Sequence, residues 1–415
     1  MLSGFRVLDL TDEKGYLCGK MLGDMGADVV KIERPEGDPG RQIGPFYHNI
    51  TNPEKSLYWF AYNSNKRGVT LSIETRDGKD IFKKLAKSAD CVVESFPPGY
   101  MDSLGLGYSE LDKINPRLIM TSITPFGQEG PYKGYDSCDL VLQALGGILY
   151  ITGDSDRSPV RVGGSESFQS FQNGAADAAV ATMAAYYYRE ATGEGQYIDV
   201  SIQQSMCLNS VFYTIPFWEF DGVITGRYGP FRSGLGTGAV TRMIWPCKDG
   251  FVNMTIMGGA VGAKRNRALI EWMDNEEMCP EFMREINWDT FDMWQMTQEL
   301  WDRLEVPISD FFKLHTMAEL YDEGVKKNIM IYPVYAPDDL LPYEQLRSRQ
   351  FWCKVEHPEL NDSIVYPGAF GKSSEVDLGI RRRPPLIGEH NQEIYEEELG
   401  YTSEELRILK HSRVI

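Results

Sequence analysis

One carboxylate, Glu166, sits in the segment Ser165-Glu166-Ser167-Phe168-Gln169-Ser170-Phe171-Gln172, which leads into a long alanine-rich stretch. An acid just ahead of a helix can bond to its first backbone amides and complement the positive end of the helix dipole. Asp139 heads a second apolar stretch, Leu140-Val141-Leu142-Gln143-Ala144, and reads the same way. In the first loop Asp12-Glu13-Lys14 places two acids beside one lysine, and they would repel phosphates unless Lys14 offsets them. Arg381-Arg382-Arg383 could touch phosphates, although a short basic run is usually a solvated or ion-paired surface. Met257-Gly258-Gly259-Ala260-Val261-Gly262 reads as a turn after a strand. The early glycines Gly15, Gly19, Gly23 and Gly26 do not form a GxGxxG fingerprint, so dinucleotide binding does not follow. The histidines and the seven cysteines lack metal-ligand spacing, and no metal site is expected.

These residues need elements to position them, and the pattern supplies an α/β alternation. Arg6–Leu10 reads as a strand, Tyr16–Met25 as a helix and Ala27–Glu33 as a second strand. Asp77–Lys87 is an amphipathic helix, with strands at Asp90–Glu94 and Arg117–Ile123 beyond it. The rhythm predicts a mainly parallel, doubly wound sheet with crossover helices. A long helix is expected from about Gln172 to Glu190, ended by Thr192-Gly193-Glu194-Gly195, with a strand at Tyr197–Ile202. The Gly/Pro-rich stretch Thr225–Gly238 marks a boundary, and Met243–Ile256 suggests a hairpin turning at Lys248-Asp249-Gly250.

The formal charge of −18 works against nonspecific binding to nucleic acid or an anionic membrane. No apolar run approaches bilayer length; the nearest, Val211–Phe220, is broken by Pro216 and Glu219. Scattered cysteines with no CxxC pair and no charged-then-apolar leader point to a reducing, cytoplasmic location.

Ordered segments carry a family resemblance. Leu22-Gly23-Asp24-Met25-Gly26-Ala27-Asp28-Val29-Val30-Lys31-Ile32-Glu33, Asn65-Lys66-Arg67-Gly68-Val69-Thr70-Leu71 and Glu94-Ser95-Phe96-Pro97-Pro98-Gly99 come first. Leu104-Gly105-Leu106-Gly107-Tyr108, Phe126-Gly127-Gln128-Glu129-Gly130-Pro131 and Pro384-Pro385-Leu386-Ile387-Gly388-Glu389-His390-Asn391 follow in order. Together they resemble the class III CoA-transferases, which include the carnitine and bile-acid enzymes. The resemblance implies a Rossmann-like large domain built from both chain ends, here 1–224 and 330–415, with a smaller domain at 225–329. It also implies two interlocked protomers, a CoA thioester as the substrate, and no permanently bound cofactor.

In that family an aspartate just before the long helix attacks the donor thioester. Counting back from Gly174 gives Ser170, counting back from Thr192-Gly193 gives Phe171, and counting forward from Arg161-Val162-Gly163 gives Phe168. None is an acid, so no catalytic residue is expected in this chain, with Glu166 as the fallback: either a displaced nucleophile or a loop acid. Ser103 stands where relatives often carry an arginine for a CoA phosphate. Lys14 and Arg34 are the weak candidates for CoA contact, and Gly258 and Gly259 resemble the family's mobile glycine loop. The leading expectation is a subunit without the nucleophile, in a heterodimer or heterotetramer with a homologous catalytic subunit. It resembles the heteromeric members that activate benzylsuccinate in anaerobic toluene breakdown. The alternatives are a self-sufficient transferase using Glu166 or a CoA-ester racemase, for which no convincing His/Asp pair is present.

Overall fold

The structure, a computed structural model, describes residues 1–163, 167–211, 214–233 and 238–415. The chain divides into two compact units, 1–149 with 161–224 and 345–415, and 150–160 with 225–344.

The first unit is built on six strands: β1 (Arg6–Leu10), β2 (Asp28–Glu33), β3 (Lys66–Thr70), β4 (Cys91–Glu94), β5 (Ile119–Thr124) and β6 (Gln196–Ser201). They lie in the order β3-β2-β1-β4-β5-β6, and every pair is parallel. Alternate side chains feed two cores, as strand geometry requires. Leu8, Val30, Val92 and Met120 pack on one side with Ile81, Phe82 and Leu85 of the helix Arg76–Lys87. On the other side Val7, Val29, Cys91 and Ile119 meet Cys18 and Leu22 of helix α1 (Tyr16–Asp24) and Ala175 and Ala178 of the long helix. Burial on both faces explains the adjacent apolar pairs Val7-Leu8, Val29-Val30 and Val92-Val93 of β1, β2 and β4.

The long helix spans Gln169–Thr192 and ends at Gly193, whose φ of 84° a glycine adopts without strain. The closing motif covers the outer edge of the sheet. His390 N–H donates to Gly68 O at 2.9 Å, Gly68 N–H donates back to His390 Nδ1 at 3.0 Å, and Thr70 N–H donates to Asn391 Oδ1 at 2.9 Å. A Cβ on Gly68 would meet Pro385 Cβ at 2.8 Å, so this approach needs glycine. The strand edge is thereby capped by side chains rather than left open for pairing.

The second unit has a small antiparallel sheet in which Phe251–Met254 pairs with both Ile244–Pro246 and Ile331–Pro333. The turn between the first two is closed by Cys247 N–H donating to Gly250 O at 2.9 Å, as the Lys-Asp-Gly sequence suggests. Because Ile331–Pro333 belongs to this sheet, the unit runs to Glu344, past the boundary at 329 expected from sequence. Its core is aromatic, with Trp245, Trp301, Phe311 and Phe312 all buried. Among the described residues no helix is long and apolar enough to cross a membrane.

Candidate functional site

The chain runs β1, β2, β3 outward on one side, then returns to place β4 beside β1. Such a reversal opens a crevice past the carboxyl ends of the strands, where ligands of open α/β sheets bind. Here it is a cavity of about 360 Å³ lined by Asp12 and Lys14 after β1, Arg34 after β2, Ser95 and Phe96 after β4, and Lys133 after β5. The sequence candidates Lys14 and Arg34 therefore share one cavity, with Lys133 added.

Several charges lining this crevice are already matched. Lys14 is ion-paired with Asp12, which also accepts the Ser95 hydroxyl at 2.8 Å. Arg41, buried, donates to both oxygens of Glu33 at 2.6 and 2.8 Å. Asp38 accepts the Tyr16 hydroxyl and pairs with Lys31 at 3.2 Å. Burial, with Asp12 beside it, raises the Glu13 carboxyl above the ordinary carboxylate range. Ser103 donates to its own helix at Tyr100 O, 2.7 Å away, and adds no cation.

Beneath the crevice lies a fully buried charge network. Asp9 pairs with Lys66 at 2.8 Å and with Lys31 at 3.8 Å, and accepts the Thr11 N–H and hydroxyl at 2.9 and 2.7 Å. Lys66 also donates to Tyr16 O and Asn63 Oδ1. This network fixes the β1 loop from below, where a flexible loop would otherwise carry the acids.

Glu94, at the end of β4, is the other buried acid here. Burial outweighs its hydrogen bonds with Ser122 and Phe96 N–H and raises it from 4.5 to about 7. A carboxyl raised in the folded state binds its proton more tightly than the unfolded chain does. Stability should therefore fall as pH rises from about 4.5 to about 7, by on the order of 3 kcal/mol from this group alone. Glu94→Gln is expected to flatten that slope in urea unfolding measured across this range. An unchanged slope would show that Glu94 is not the titrating group.

The start of the long helix carries no free acid among the described residues. Ser170, the position reached by counting back from Gly174, is buried. Its N–H and hydroxyl both donate to Asp139 Oδ1, at 2.8 and 2.7 Å. The other oxygen of Asp139 accepts Gln143 Nε2 at 2.8 Å and Arg161 Nε at 2.9 Å. Asp139 is thus a helix-start acid, but for the long helix as well as its own. The Phe168 and Phe171 rings lie tilted at 5.6 Å, and Tyr58 packs edge-on against Phe168 at 5.5 Å. Glu166 lies outside the described residues. Gly258 and Gly259 belong to the second unit, where they open the helix Gly259–Asn275, with Gly259 at φ 73° and open space around its α-carbon.

Sequence reasoning named Asp139 and Ser170 separately but missed their contact with each other and with Arg161, and it missed Arg41 and Glu94. Of these last two only Glu94 left a signal, a carboxylate closing the apolar run Cys91-Val92-Val93.

The model of CoA-transferase family III matches residues 2–391. The chain belongs to that family. It is 35% identical over 412 residues to the succinyl-CoA:(R)-benzylsuccinate CoA-transferase subunit BbsE of Thauera aromatica, covering 97% of this chain and 95% of that protein. It is 29% identical over 419 residues to the succinyl-CoA–D-citramalate CoA-transferase of Chloroflexus aurantiacus, covering 100% of this chain and 98% of the other. Its structure resembles that of a CAIB/BAIF family protein from Brucella suis, with a TM-score of 0.81 at 25% identity over 95% of this chain and 98% of that one. Family III enzymes act on CoA thioesters, so the crevice at the β1/β4 reversal lies in a CoA-transferase fold. The matched charges and the occupied helix start are features of this member.

Proposed function

We propose that this chain is the non-nucleophilic subunit of a heteromeric class III CoA-transferase that passes CoA from succinyl-CoA to a benzylsuccinate-type acid. The observation that carries the reading is Ser170 at the helix start, held by Asp139 at one of the three positions to which counting assigns the family's attacking carboxylate, the other two being Phe168 and Phe171. A serine hydroxyl is a weak nucleophile unless a base takes its proton. Asp139 is committed to Gln143 and Arg161 as well, and no histidine bonds Ser170 among the described residues. The partner supplies the aspartate that attacks the thioester carbonyl, and CoA leaves as the thiolate as the mixed anhydride forms. This chain contributes the fold around it.

Two further features support the reading. Leu208, Ile215, Phe217, Trp218 and Phe220 are exposed over consecutive helical segments, with Phe220 at 83%. An apolar run of that extent marks a surface that another chain covers, here the interlocked partner. The 35% identity to a subunit whose name specifies benzylsuccinate supports the acceptor.

The test is reconstitution. Transfer from succinyl-CoA to benzylsuccinate is expected only when the chain is purified with a family member bearing aspartate before its long helix. Hydroxylamine should then modify the partner and not this chain. Full activity of this chain alone, lost in Glu166→Gln, would overturn the reading.

A further inference from the structure

At the opposite end of the sheet from the crevice, the amino ends of β1, β2 and β3 border a surface hollow of about 530 Å³. It is lined by the guanidinium groups of Arg6, Arg67, Arg381 and Arg382. Three carboxylates line it as well, and they are spoken for. Asp28 and Glu398 each pair with both Arg6 and Arg67, and Glu393 pairs with Arg67 at 2.7 Å. Arg381 spends its side chain on the carbonyl oxygens of Gly23, Asp24 and Gly379. Four fixed positive charges thus face three negative ones; among the described residues neither Arg381 nor Arg382 bonds a carboxylate, and Arg381 is held instead by backbone carbonyls.

The neighbour of Arg382 sharpens the imbalance. Its Nη1 stands 2.9 Å from His390 Nε2. His390 Nδ1 accepts the Gly68 N–H, so in the neutral ring the proton must sit on Nε2. Arginine has no acceptor either. Two N–H donors therefore face each other with no oxygen between them, and His390 is only 9% exposed. Burial and the Arg382 charge also hold the ring below its ordinary pKa, which favours the neutral form. An unsatisfied buried donor is costly, and the exposed Arg382 side chain can turn so that both donors converge on one acceptor.

We propose that this hollow is a binding site for a small, singly charged oxyanion, received by Arg382 and by the Nε2–H of His390. The acceptor can be a free anion or a carboxylate side chain of another chain; the chemistry is the same. Guanidinium and imidazole N–H groups give such an oxygen charge-assisted bonds. The site is separate from the crevice and does not depend on how CoA transfer is shared between subunits.

The test uses full-length protein with its histidines labelled with 15N, in a buffer free of oxyanions. Acetate and inorganic phosphate are titrated while the His390 ring signals are followed. The expected result is an Nε2-protonated ring whose Nε2 signal shifts saturably in the millimolar range. Arg382→Gln should abolish the shift, and Arg382→Lys should keep part of it. Should the wild-type signal fail to respond, the same titration on monomer and oligomer fractions separated by gel filtration distinguishes the two sources. Response in the monomer alone identifies a partner carboxylate as the oligomer's ligand. Failure of both fractions, a response undiminished in Arg382→Gln, or an Nδ1-protonated ring would overturn the site.

Discussion

Asp9→Ala is expected to destabilise the first unit by about 3–5 kcal/mol, because it leaves the buried Lys66 ammonium without its carboxylate. Asp9, Lys31 and Lys66 are all fully buried, and Asp9 touches both lysines. Burial alone would raise the Asp9 carboxyl, but Lys66 and Lys31 outweigh it and hold it below the ordinary carboxylate range. The sign follows directly. A lowered pKa means the folded state holds the ionised form, so the contribution is present above the unfolded value and lost as pH falls through the folded one. The wild-type advantage over Asp9→Asn in urea unfolding should therefore be large at neutral pH and shrink in acid. The double variant Asp9→Leu/Lys66→Met should recover much of the loss, since buried pairs are often replaceable by apolar groups of similar volume. Equal stability of wild type and Asp9→Ala would mean the network carries no net pairing energy.

That network also shows where sequence stops being informative. Lys31 and Asp9 sit inside strands read correctly from their apolar neighbours, yet period-two patterning would place charged residues in solvent. Asp9 is buried with a partner 57 positions away in the chain, Lys66, and Lys31 with Asp38, and no local pattern contains these bonds. Strands β1, β2, β4, β5 and β6 were legible from their apolar and β-branched residues, whereas β3, Lys66-Arg67-Gly68-Val69-Thr70, was not read as a strand because its first three residues are charged or glycine. The long helix was legible from its alanines, though it begins at Gln169 rather than Gln172 because Phe168 O accepts the Gln172 N–H and extends the first turn. Lys14 and Arg34 were found through the family pattern, and the fold brings them to one crevice. What charge state that crevice presents was not legible, because it depends on Arg41 closing on Glu33 and on Lys31 reaching Asp38. Asp139 shows the same limit. Its local sequence marks a helix N-terminus, and only the packing of two helices makes it the anchor of Ser170, 31 residues on.

That anchor sets the second large effect. Restoring an acid at the helix start by Ser170→Asp places a new carboxylate where the hydroxyl now lies 2.7 Å from Asp139 Oδ1. Two carboxylates at that separation in a buried site do not both ionise. The single variant is expected to lose about 3–5 kcal/mol of stability at neutral pH and to show no CoA transfer on its own. Exchanging the pair, Ser170→Asp with Asp139→Ser, restores one acid and one hydroxyl and leaves Arg161 beside the acid. Most of the stability should return. On the proposed reading, transfer by this chain alone should still be absent, because Lys14 stays bound to Asp12 and Ser103 supplies no cation. Urea unfolding of the two variants measures the first expectation, and succinyl-CoA turnover measures the second. A stable single variant would show that Ser170 and Asp139 are not in contact. A turning-over double variant would show that an acid at position 170 suffices for transfer by this chain alone, which would overturn the expectation that the crevice also limits it.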